Sequence, residues 1–132
     1  MALIFSLKPY FLCVLGALCG LIFTLFSGES AMAIYKTAHF IVKPEGLAQA
    51  QQAIGEFVAY IKDHEPGTCL YTAMHQAQDS TSFLHHFIFE DTVAEEIHRT
   101  SAAVKHFTGI LYPLLASEVV FTDYHLVAST AE

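Results

Sequence analysis

The chain has no tryptophan, and only three of its 132 residues are cysteine. Cys13 and Cys19 fall inside an apolar stretch near the N-terminus, so a chain processed beyond that stretch keeps Cys69 alone and forms no internal disulfide. A lone thiol in an oxidising compartment is expected to be buried, here in a strand. Basic residues are scarce too: from Ile34 onward, Lys36, Lys43, Lys62, Arg99 and Lys105 stand against twelve acidic residues. With no cluster of Lys or Arg to neutralise phosphates, nucleic acid is excluded as a partner, as is an anionic lipid surface held by the domain itself. The sequence contains no GxGxxG, phosphate loop or GxSxG motif, and no cysteine paired usefully with histidine. Nucleotide enzymes and nucleophilic hydrolases therefore have no support.

What is abundant is apolar: 54% of the residues are hydrophobic, and much of the excess lies at the front. After Lys8 the run "PYFLCVLGALCGLIFTLFSG", residues 9–28, carries no charge, and Ala31-Met32-Ala33 follows as an A-x-A site. A signal-peptide core needs roughly 7–15 apolar residues and a membrane span about 20, so the run is at the long end. Residues 1–33 are expected to be a cleaved signal peptide, the product being exported to a periplasm or secreted. An uncleaved membrane anchor over residues 9–28 is the alternative, and the only membrane contact expected.

The remaining residues suit one domain, 34–128, with a short tail at 129–132. "AIYKTAHFIVK" alternates as a strand with Ile34, Ala38, Phe40 and Val42 on one face and Tyr35, Thr37, His39 and Ile41 on the other. A helix follows, with Leu47, Ala50, Ile54, Phe57, Val58 and Ile61 at helical spacing, closed by Pro66-Gly67. "TCLYTAMHQ" and "SFLHHFIFE" flank the polar "AQDST" as an antiparallel hairpin. A second helix is expected from Thr92 as N-cap, with Glu95 three residues on, through Ile97, His98, Ser101 and Lys105. After a helical turn broken at Pro113, residues 118–128 alternate as a last strand.

Strand, helix, strand, strand, helix, strand is the α+β, ferredoxin-like βαββαβ order: a four-stranded antiparallel sheet with both helices on one face. About 100 residues cannot supply a third layer. The other face, where Tyr71, Phe87 and Tyr124 are expected, with a cavity as the alternative place for Tyr71 and Phe87, is therefore expected to be covered by a second copy in a homodimer.

"FIVKPEG", "EPGTCLYTAMH", "FIFEDTVAEEIHRTSAAVKHF" and "LYPLLASEVVFTDYHLV", in this order and spacing, resemble the antibiotic biosynthesis monooxygenase family of dimeric α+β barrels over about residues 34–128. The resemblance implies a homodimer and a small aromatic or quinol-type ligand. It also implies oxidation without flavin, metal or other cofactor. The chemistry is coherent, because a phenol or quinol reacts with oxygen once deprotonated, so the protein need only take a proton, stabilise the anion and exclude water.

By that resemblance His98 is the candidate catalytic residue, and Ser101, Tyr71, Phe87 and His39 are candidate substrate contacts. Where many members read Ser-Pro-His-Phe, this chain reads Ser101-Ala102-Ala103-Val104, lacking the second histidine and an aromatic. A non-catalytic, small-ligand-binding barrel is therefore the alternative. The haem-degrading branch uses an asparagine, a tryptophan and a histidine at positions that here hold Ala38, His98 and Thr108, so that mechanism is not expected.

The other histidines have blander expectations. His39 and His125 are placed on outer strands. His75 and His85 could face each other across the hairpin, but two histidines make a poor zinc site, so no metal is expected. Adjacent His85 and His86 point to opposite faces.

Overall fold

The computed structural model describes residues 32–131. The expected export segment lies outside the described residues apart from Met32 and Ala33, and among the described residues no helix is long and apolar enough to cross a membrane. The chain folds as β1 (Ile34–Ile41), a short 3-10 turn (Pro44–Gly46), α1 (Leu47–His64), β2 (Thr68–His75) and β3 (Ser82–Phe89). It continues through α2 (Thr92–Thr100), α3 (Ala102–Leu111), a second 3-10 turn (Tyr112–Leu114) and β4 (Val120–Tyr124). The strands pair antiparallel in the order β2-β3-β1-β4, giving an α+β, ferredoxin-like sheet.

Alternation along the strands decides the two faces. On the helix side, β1 contributes Ala38 and Phe40 and β3 contributes Phe83, His85, Phe87 and Phe89, none more than 5% exposed. Against them α1 packs Ala50, Ala53, Ile54, Phe57 and Ile61, and α3 packs Phe107 and Leu111. Phe57 stacks on Phe107 with ring centroids 4.3 Å apart, and Phe40 on Phe83 at 5.5 Å. Burying each such side chain stabilises the fold by roughly 1.5–3 kcal/mol, so this aromatic layer is the main source of cohesion. The opposite face carries Leu70, Met74, Leu84, Ile41 and Tyr124, and each of these remains exposed.

Several expectations are corrected. Asp91, not Thr92, caps α2: its Oδ1 accepts the Ala94 N–H at 2.8 Å. The expected continuous second helix is broken at Ser101, which is extended (φ −65°, ψ 147°) and accepts the Val104 N–H on Oγ at 3.1 Å. A serine hydroxyl competes for backbone donors, and here it starts a new helix. On α2, Val93 and Ile97 face solvent and Ala94 and His98 face inward.

Tyr71 and Phe87 lie on the helix side, stacked on each other at 5.2 Å, rather than on the bare face. His39 sits on β1, an interior strand, not an outer one. His75 pairs with Phe83 and Ala73 with His85, so the two histidines are not opposite. Cys69 is exposed rather than buried: the register shifts between Thr68 and Leu70, and a bulge takes the residue between them out of alternation. The last strand spans five residues rather than eleven, is exposed throughout, and ends before His125.

Candidate functional site

The turn from α1 into β2 and the first turns of α2 build the site together. A Cβ at Gly67 would lie 2.7 Å from the Ala94 Cβ, so only glycine allows this close approach of the turn to α2. The Glu90 N–H donates to the Gly67 carbonyl at 2.8 Å and ties the same turn to the end of β3. One helical turn beyond Ala94 is His98, and two residues before Gly67 is Glu65. Their meeting follows: His98 Nδ1 lies 2.7 Å from Glu65 Oε1 and 3.3 Å from Oε2.

This pair is largely removed from water, with side-chain exposures of 13% for His98 and 4% for Glu65. Thr68 Oγ1 donates a second hydrogen bond to Glu65 at 3.3 Å. A buried carboxylate needs such donors, because stripping it of water costs several kcal/mol, on the order of what a good pair returns. A carboxylate only accepts, so His98 Nδ1 carries the proton, and in the neutral ring Nε2 is the basic nitrogen. The rings of Phe89, Phe57, Tyr71 and Phe87 surround the imidazole at centroid distances of 5.1, 5.8, 5.8 and 6.2 Å.

Between sheet and helices is a cavity of about 80 Å³ lined by His98, Tyr71, Phe87, Phe57, His85 and the neighbouring aromatic and aliphatic side chains. Outside it lies an open groove of about 590 Å³. The two share Tyr112, Val119 and Phe121 as their common wall.

A second polar pair reaches the same cavity. Tyr71 Oη and His85 Nδ1 are 2.9 Å apart. Burial, with the Glu65 charge as a smaller contribution, raises the Tyr71 phenol above its usual value. Tyr71 as a whole is half-buried, and its hydroxyl is interior. Burial pushes the His85 imidazole down to about 4. Both groups are therefore neutral near pH 7.

Of the residues anticipated for the site, His98, Tyr71 and Phe87 come together around the cavity. Ser101 does not line it, because its hydroxyl is the cap of α3. His39 lies on the bare face, within 3.1 Å of Ser82 Oγ. Sequence reasoning missed Glu65 and His85. The Glu-Pro-Gly run was legible only as a turn, whereas His85 carried a signal, since it falls in phase with Phe83, Phe87 and Phe89 on one strand. Among the described residues, no group of three or more His, Cys, Asp or Glu side chains is placed to hold a metal ion.

The family model described as "Antibiotic biosynthesis monooxygenase" matches residues 33–109. The chain is similar in structure to a candidate antibiotic biosynthesis monooxygenase of Caulobacter crescentus, with TM-score 0.70 and 18% identity over 75% of this chain and 93% of that one. Rv0793 of Mycobacterium tuberculosis matches with TM-score 0.69 and 15% identity, over 76% of this chain and 100% of that one. SnoaB of Streptomyces nogalater, a cofactor-independent oxygenase solved as a point mutant, matches with TM-score 0.65 and 13% identity, covering 76% and 98%. No curated protein matches by sequence.

Proposed function

We propose, from the premise that this chain belongs to the antibiotic biosynthesis monooxygenase family, that it is a cofactor-independent monooxygenase of a small aromatic or quinol-type substrate. The observation that carries this is the buried Glu65–His98 pair opening on an aromatic cavity. Glu65 holds the His98 ring with its proton on Nδ1, and Nε2 accepts the substrate's hydroxyl proton. The resulting anion places electron density on a ring carbon, which reacts with dioxygen. One oxygen atom forms a new bond to that carbon, the O–O bond breaks, and the other oxygen leaves as water with two hydrogens from the substrate. The substrate supplies all four electrons, losing two hydrogens and gaining one oxygen. The aromatic wall excludes bulk water from the anion. SnoaB, which shares this fold, is a precedent for oxygenation without a cofactor.

The cavity volume favours a second reading, a non-catalytic ligand-binding protein. About 80 Å³ is near half of the roughly 150 Å³ that holds benzene in an engineered cavity, so a substrate ring fits only when the common wall moves outward. Phe121 and Tyr112, 62% and 51% exposed, are the parts of that wall with room to move.

Oxygen uptake with menadiol and with hydroquinone separates the two. His98→Ala is expected to lower the rate at least about 100-fold, the scale of a lost general base. Equal rates for wild type, variant and protein-free blank would leave the binding protein as the answer.

The working unit is a homodimer in which the bare sheet faces cover each other, since Leu70, Met74, Leu84, Ile41 and Tyr124 are large apolar side chains that one copy leaves exposed on that face. The uncharged run at residues 9–28 directs export, and sequencing the N-terminus of the protein recovered from cells tests for cleavage after Ala33.

A further inference from the structure

His85 Nε2 is the one buried side-chain nitrogen or oxygen without a hydrogen-bond partner among the described residues, and it belongs to a residue only 1% exposed that lines the cavity. The role of this nitrogen follows from its neighbour. If His85 Nδ1–H donated to Tyr71, both the Tyr71 proton and the Nε2 lone pair would be buried without partners. If Tyr71 O–H donates to Nδ1, only Nε2–H is left over, which is the cheaper arrangement. A buried donor left unmade costs about 1–3 kcal/mol, a penalty that a ligand oxygen removes.

We infer that Tyr71 and His85 form an oxygen-binding subsite in which His85 Nε2–H donates to a second oxygen of the ligand, the first being the one whose proton His98 accepts. The ligand class narrows accordingly from any small aromatic to a ring bearing two oxygens, a quinol rather than a monophenol. One histidine accepts and the other donates, both beside Tyr71, whose ring centre is 5.5 Å from that of His85 and 5.8 Å from that of His98. A donor is the fitting partner there, because the second ring oxygen has lone pairs that accept from an N–H in a dry site. The pair stays uncharged around neutral pH, so it holds the oxygen without drawing its proton. The subsite rests on the cavity being the substrate site, as proposed above, but not on turnover.

Anaerobic titration of the full-length protein with hydroquinone and with phenol tests it, with the histidine ring nitrogens followed by 1H–15N NMR. The His85 Nε2–H resonance is expected to move on saturation with hydroquinone. His85→Phe is expected to weaken hydroquinone binding at least tenfold while changing phenol binding less than threefold. Should that variant fold poorly because Tyr71 loses its partner, the Tyr71→Phe, His85→Phe double variant leaves neither group orphaned and should show the same loss of discrimination. An unmoved Nε2–H signal, equal affinities in wild type and variant, or no hydroquinone binding by the wild type each overturns the subsite. Oxygen uptake is absent from all of these measurements, so a protein that binds hydroquinone through His85 yet consumes no oxygen would refute the oxygenase and leave the subsite standing.

Discussion

His85 and His86 are neighbours on one strand, yet one is sealed among aromatic rings and the other lies on a sheet face that no other described element covers. The same contrast runs across the whole sheet. The helix side is dry, aromatic and furnished with two polar pairs, Glu65–His98 and Tyr71–His85. The bare side carries apolar side chains that are not packed, Leu84 37% and Met74 44% exposed among them, on either side of a polar row of Thr72, His86, Thr37 and Thr122. A polar group gains chemical leverage only where water is absent, which is why the proposed chemistry is assigned to the covered side and the proposed association to the bare one.

The strongest challenge to this contrast lies in the core. Phe40→Ala removes a ring that is 1% exposed and packed on both Phe83 and His85, and should cost about 3–5 kcal/mol in urea denaturation. A loss under about 1 kcal/mol would mean that the helix side is no better packed than the bare one.

Next comes pH. His85 is held near 4 in the folded chain against an ordinary 6.5, so below pH 6.5 the unfolded chain takes up a proton that the folded one refuses. The His85 contribution to stability is complete above pH 6.5, declines as the pH falls from 6.5 to 4, and levels off below that, for a total of about 3 kcal/mol at about 1.4 kcal/mol per pH unit. Denaturation curves across this window should show the decline in the wild type and lose that part of it in His85→Phe.

Gly67→Ala should cost about 1–3 kcal/mol, because the added methyl meets Ala94 and forces α2 away from the turn. It should also part Glu65 from His98 and lower oxygen uptake; full activity with a thermal midpoint equal to wild type would show that the turn does not set the pair. Smallest in stability is Leu84→Glu on the bare face, expected to change folding by about 0.5 kcal/mol or less in the isolated chain. Its effect on mass is the informative one: sedimentation equilibrium should find a dimer for the wild type and a monomer for the variant.

Much of this organisation is readable along the chain. Period-two alternation locates β1 and the hairpin, helical spacing locates α1, and the order of elements is enough for the ferredoxin-like class. The failures have local causes. Ser101 carries a hydroxyl that ends one helix by starting another, and the bulge beside Cys69 exposes a residue expected inside. Phase errors sent Tyr71 and Phe87 to the wrong face, since a strand apolar on both sides does not say which side the helices cover.

The class of fold, the scarcity of positive charge, and the candidacy of His98 are all contained in the order of residues, because periodicity, composition and family resemblance are properties of a line. That Glu65 orients His98 and that His85 leans on Tyr71 is visible only in three dimensions. Those partners lie 33 and 14 positions apart in the chain, and the close approach of Gly67 to Ala94 and the register of β2 on β3 are what bring them within reach.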